Sequence, residues 1–162
     1  MSPSMSRKAI EVTHVLIESQ KAAADVRTSL ETLIPPIDEE IPLLLSDGVT
    51  DRLRQRLEAA PELSIFLKRD HGLLVGLYGK VREAVQYEIG NPLTASRMTR
   101  YRLGAGLYAP LRVIVYERAD GGSRIEYDLP SSLFGQFGDD RVTEVARGLD
   151  VALARALSAA AG

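Results

Sequence analysis

The amino-acid sequence predicts an α+β domain, an antiparallel sheet of about five to six strands with helices packed on one face. Three observations carry this expectation. Short segments rich in branched apolar residues are separated by tight turns, which join antiparallel neighbours. Asp120-Gly121 lies between two such segments and supplies the residues a type I′ hairpin turn requires. Val142, Val145, Ala146, Leu149, Leu153, Ala156 and Leu157 then recur at three- and four-residue steps, a helical stripe long enough to seal a core.

In chain order, residues 1–10 read as a disordered tail and residues 11–162 as one domain. Val12, Thr13, Val15 and Ile17 make 11–18 a strand, and Ser19 is placed to cap a helix carrying Ala23, Val26, Leu30, Leu33 and Ile34, which Pro35 and Pro36 end. Residues 35–48, with an acidic Asp38-Glu39-Glu40 run, read as an ordered connection. A short helix over 51–60 is capped by Asp47 or Thr50 and stopped by Pro61. The apolar runs 63–68 and 73–78 flank Arg69-Asp70-His71-Gly72; a hairpin is the simpler reading, a helix over the second run the other. Residues 84–89 alternate as a half-buried strand ending at Gly90, and Asn91-Pro92 opens a helix to about Arg102. Strands 111–118 and 123–128 form the hairpin around Asp120-Gly121. A two-residue turn there opposes residues whose numbers sum to 241, so Tyr116 meets Ile125, Ile114 meets Tyr127 and Glu117 meets Arg124. Asp139 or Asp140 caps the last helix.

Composition narrows the function. Hydrophobic residues make up 45% and charged residues 26%, which is globular rather than disordered. A net charge of −2 gives no long-range attraction to nucleic acid or an anionic membrane, so neither is expected as a partner. No apolar stretch is long enough to span a bilayer, and with no cysteine there is no disulfide frame or thiolate chemistry; a cytoplasmic location is expected.

Several motifs together resemble a bacterial family called domain of unknown function 302. They are Gly90-Asn91-Pro92, Leu107-Tyr108-Ala109-Pro110-Leu111 before a Val-rich strand, the Gly122 turn, and Tyr127-Asp128 before Pro130-Ser131-Ser132. The likeness extends over roughly residues 11–158 and departs at Asp70-His71-Gly72-Leu73-Leu74, where the family's pattern has a helical stretch. The resemblance implies a curved antiparallel sheet like that of the TATA-binding-protein repeat and a homodimer. It implies no reaction.

The sharpest candidate for chemistry is the helix opening at Asn91, since a helix start presents unpaired amides and partial positive charge. Residues 91–112 hold Arg97, Arg100, Arg102 and Arg112 with no Asp or Glu, and Thr94, Arg97 and Tyr101 follow at helical spacing. Asn91, Thr94, Arg97, Arg100, Tyr101 and Arg112 are therefore the candidate ligand-binding residues, for a small anionic or amphipathic molecule. An apolar pocket between sheet and long helix would suit the latter. His14 and His71 stand too far apart in sequence for a two-ligand metal motif, so no metal or other cofactor is expected. Ser131 and Ser132 lack a nucleophile elbow and read as turn residues, and Tyr87, Tyr116 and Tyr127 read as core. The expected function is thus a non-enzymatic homodimer binding such a ligand or a protein partner. The alternatives are an enzyme using His71 and Asp70 with an arginine, and a purely structural assembly module.

Overall fold

The computed structural model describes residues 3–162. Residues 3–13 form no helix or strand, although Lys8 Nζ donates to Gln136 O at 3.0 Å. The part of the expected tail at residues 1–2 lies outside the described residues.

Five strands form one antiparallel sheet: β1 (His14–Ser19), β2 (Ser64–Asp70), β3 (Ala84–Gly90), β4 (Leu111–Glu117) and β5 (Ser123–Asp128), in the spatial order β1-β5-β4-β3-β2. Alternation decides the faces. Val85, Tyr87 and Ile89 on β3, Leu111, Val113 and Val115 on β4, and Ile125 and Tyr127 on β5 point inward and are buried. Against them lie α1 (Ala23–Leu33), α5 (Pro92–Thr99), α6 (Pro130–Gly135) and the long α7 (Asp140–Ala161), whose stripe of Val142, Ala146, Leu149, Leu153 and Leu157 is buried as its periodicity requires. The smaller α2 (Glu40–Ser46), α3 (Asp51–Ala59) and α4 (His71–Val75) complete the set. Thr50, not Asp47, caps α3, and Asp139, not Asp140, caps α7.

The structure corrects the sequence reading at several points. Residues 71–78 are not the second arm of a hairpin. Asp70 Oδ1 accepts from Leu73 N at 2.9 Å, which starts α4, and a 3-10 turn over Gly76–Tyr78 continues it. Ser19 does not cap α1, which begins after Ala22; its hydroxyl instead donates to Ala161 O at 2.5 Å, holding the end of β1 on the end of α7. The helix opened by Asn91 stops at Thr99 rather than near Arg102, and a 3-10 segment over Leu103–Tyr108 follows.

The β4–β5 register is off by one from the expected pairing. Arg118 N bonds to Gly122 O at 2.7 Å and Gly121 N to Arg118 O at 3.2 Å, with Gly121 at φ +89°, so the loop has three residues and its single left-handed position is Gly121. Val113 therefore opposes Tyr127, Val115 opposes Ile125, and Tyr116 opposes Arg124. Such a slip exchanges the faces. Tyr116 consequently lies half-buried on the outer face rather than in the core, where Tyr87 and Tyr127 are found.

Of the described helices, α4 borders that outer face, with His71 beside Gln86. Its cross-strand rows read Leu16, Glu126, Ile114, Gln86, Arg69 and, one step along, Glu18, Arg124, Tyr116, Ala84.

Candidate functional site

At the opening of α5, Asn91 is extended and its Oδ1 accepts from Thr94 N at 3.0 Å. Ala95 N bonds to Asn91 O at 2.9 Å, and Pro92 has no N–H. Of the first-turn amides only that of Leu93 is left, so the expected cluster of idle donors is not there. The Asn91 amide nitrogen is also committed, donating to Pro61 O at 2.9 Å.

What the helix opening does border is an apolar hollow of about 110 Å³, between sheet, α5, α6 and α7. Its walls include Phe66, Ile89, Met98, Pro110, Phe134 and Leu149, with Gly90 and Ala95 leaving the space and Asn91 and Thr94 supplying the polar atoms. The Thr94 hydroxyl makes no hydrogen bond among the described residues. For scale, a dry engineered cavity of roughly 150 Å³ takes up benzene.

Arg97, Arg100 and Tyr101 do not share this hollow. They line an open groove of about 650 Å³ between the second half of α5 and the start of α7, with Arg141, Glu144 and Arg147. The Tyr101 ring carries two guanidinium groups, Arg100 at 4.4 Å and Arg141 at 3.9 Å from its centre. Arg141 is also bound to Asp139, 2.9 Å from Oδ2, and Arg102 stands 3.6 Å from the same oxygen. Side-chain hydrogen bonds from Arg141, outweighing the effect of burial, hold the Asp139 carboxyl down to about 2. Among the described residues, Arg97 and Arg100 make no ion pair; the carboxylates Glu83, Glu88 and Glu117 belong to Arg27, Arg69 and Arg82.

Arg112 is elsewhere again, on the outer face of the sheet. There it lines an open hollow of about 240 Å³ with His14, His71, Gln86, Glu126 and Asp128. His14 lies between two carboxylates, Nδ1 2.9 Å from Asp128 Oδ1 and Nε2 3.1 Å from Glu126 Oε2. Both hydrogen bonds, Asp128's first, raise its pKa above the ordinary 6.5. His71 Nε2 is 3.5 Å from Gln86 Oε1, and Asp70, spent on capping α4, is not its partner.

The six residues chosen from sequence are thus parted among three places. Helical spacing brings Arg97, Arg100 and Tyr101 together but turns Thr94 toward the apolar hollow, and alternation on β4 sends Arg112 to the far side of the sheet. The enzyme alternative had set His71 with an arginine, and Arg112 is the one that shares its hollow; what sequence reasoning missed is His14 beside them. Its one visible trace was the alternation of Arg124, Glu126 and Asp128; the β1–β5 pairing that adds His14 has no local signal.

Other candidates are structural. Ser131 N donates to Asp150 Oδ1 at 2.8 Å and Ser132 Oγ to Leu129 O at 2.7 Å, while Phe134 and Phe137 meet Tyr108 edge to face. Among the described residues, no group of three or more His, Cys, Asp or Glu side chains is arranged to hold a metal ion, and no helix is long and apolar enough to cross a membrane.

No curated protein matches the chain. A crystal structure of an uncharacterized conserved protein DUF302 from Bacillus stearothermophilus superposes with a TM-score of 0.66 at 19% identity, covering 91% of this chain and 97% of that one; at that identity the likeness establishes the fold. The family described as domain of unknown function DUF302 matches residues 45–160, well over half of the sequence. With the strand order above, this places the chain in the DUF302 family.

Proposed function

We propose that this domain is a non-enzymatic binding module for a small amphipathic molecule, whose apolar end enters the hollow beside α5. The observation that carries the reading is that hollow: apolar walls, room for a short aliphatic chain or a small ring, and Asn91 and Thr94 as its polar atoms. The Thr94 hydroxyl is the group left to meet a ligand's polar end.

Thermal denaturation in the presence of four- to six-carbon carboxylates and the matching alcohols tests it. A ligand at a hundredfold excess over its dissociation constant adds about 2.7 kcal/mol to stability. Ala95→Leu fills the hollow and removes the effect. So does Gly90→Ala, whose new methyl lies 3.7 Å from Pro110 and 3.8 Å from Phe66, in ordinary contact. If no member of the series stabilises the protein, or Ala95→Leu binds as well as the parent, the reading is wrong.

A second observation favours self-association. Leu73, Leu74, Val75, Leu77, Tyr78 and Val81 are all exposed, Leu77 at 79% and Tyr78 at 92%. Six exposed apolar side chains within residues 73–81 are an unusual density for a free surface, and association would remove them from water. We infer that a second copy of the chain covers this segment. Sedimentation of the parent and of Leu77→Asp/Tyr78→Asp decides: a dimer turned monomeric supports it, and a monomeric parent overturns it.

A further inference from the structure

We propose that the hollow on the outer face of the sheet is a second ligand site, for a small oxyanion anchored on Arg112. Glu126 and Asp128 each lie within hydrogen-bond distance of a ring nitrogen of His14, and Glu126 also accepts from Tyr116. Gln86 Oε1 is shared between Arg69 and His71, each at 3.5 Å. Glu88, the cross-strand neighbour of Arg112, is paired with Arg69. Each of these carboxylates and the Gln86 amide oxygen thus has at least one partner within the protein.

The donors differ. Arg112 is exposed and forms neither ion pair nor hydrogen bond among the described residues, and the His71 imidazole has only the long contact to Gln86. An exposed guanidinium without a partner selects a ligand rich in acceptors and negative charge. Below pH 6.5, where its raised pKa keeps His14 protonated, the imidazolium stands beside the two carboxylates and offsets their repulsion of an incoming anion. The contributing residues come from β1, α4, β3, β4 and β5, so the site exists only in the folded sheet. It does not depend on the apolar hollow beside α5, which lies on the other face.

The chain contains two histidines, and both line this hollow, so imidazole NMR signals report on it directly. The parent protein is titrated at about pH 6, where a histidine is sensitive to nearby charge, with acetate in one arm and inorganic phosphate in the other. Saturable movement of the His71 signals is expected, with affinity reduced about tenfold or more in Arg112→Gln, the loss that follows from removing a charge-assisted hydrogen bond. Saturation by acetate alone assigns a carboxylate ligand, by phosphate alone a phosphate, and by both the shared oxyanion chemistry. Ala95→Leu leaves the response intact, which separates this site from the first. Shifts that only drift linearly with concentration, or that are unchanged in Arg112→Gln, overturn the proposal.

Discussion

Tyr87 Oη donates a 2.7 Å hydrogen bond to Glu31 Oε1, joining the buried middle of β3 to α1. The tyrosine is fully buried, and Arg27 Nε approaches the same phenol oxygen at 3.3 Å. Burial first, and the Glu31 carboxylate next, push its pKa well above the usual tyrosine value. Tyr87→Phe keeps the ring but leaves Glu31 without this donor. The expected loss is about 1–2 kcal/mol, the scale for a hydrogen bond to a charged group that keeps some solvent contact. Urea unfolding should show a lower midpoint with an unchanged slope.

His14 sets a dependence at neutral pH. Its folded pKa is raised above 6.5, so the bound proton stabilises the fold fully below that value, and the contribution disappears as pH rises through the raised one. Comparing urea midpoints of the parent and His14→Gln between about pH 6 and 8 should show an advantage for the parent that shrinks with rising pH. An advantage that grows would contradict the two-carboxylate arrangement.

Asp139 acts in acid and with the opposite sign. Its carboxyl is held at about 2 against an ordinary 3.8, so its contribution is complete above 3.8 and is lost as pH falls toward 2. Asp139→Asn should unfold with a shallower pH dependence across that interval, followed by circular dichroism. The same substitution frees Arg141 and Arg102 beside Tyr101.

Two adjacent glycines in the β4–β5 loop should respond differently to alanine. At Gly121 a Cβ meets nothing, so Gly121→Ala costs only the left-handed backbone, about 1–2 kcal/mol. At Gly122 a Cβ would lie 2.5 Å from Ser19 O, and the end of β1 must move. Gly122→Ala should therefore lose more, about 2–3 kcal/mol, and its thermal midpoint should fall below that of Gly121→Ala.

The order of strands and helices was legible because each signal is local: the stripe from Val142 to Leu157, the cap at Asn91-Pro92, the alternation over residues 84–89. The two principal misreadings have local causes too. Asp120-Gly121 suits a two-residue turn, but only Gly121 adopts positive φ, and the third loop residue shifts every facing pair. Leu73 to Tyr78 is as apolar as a core strand, yet Asp70 caps it into a helix and Gly72 packs so tightly on Arg82 that a Cβ would overlap its carbonyl. The candidate site was less legible, because which residues of α5 and β4 share a hollow depends on how they face the sheet. His14 meets Glu126 and Asp128 only through pairing across more than a hundred positions.

That pairing has a consequence for how the molecule is made. Of the five strands β1 is made before the others, yet its strand neighbour among the described residues is β5, and β5 is complete only at Asp128. Until β5 has been made the nascent chain therefore carries a strand, Val15 and Ile17 included, without its mate. Truncated products ending ahead of the β4–β5 hairpin leave that strand edge open, a template for pairing with other chains.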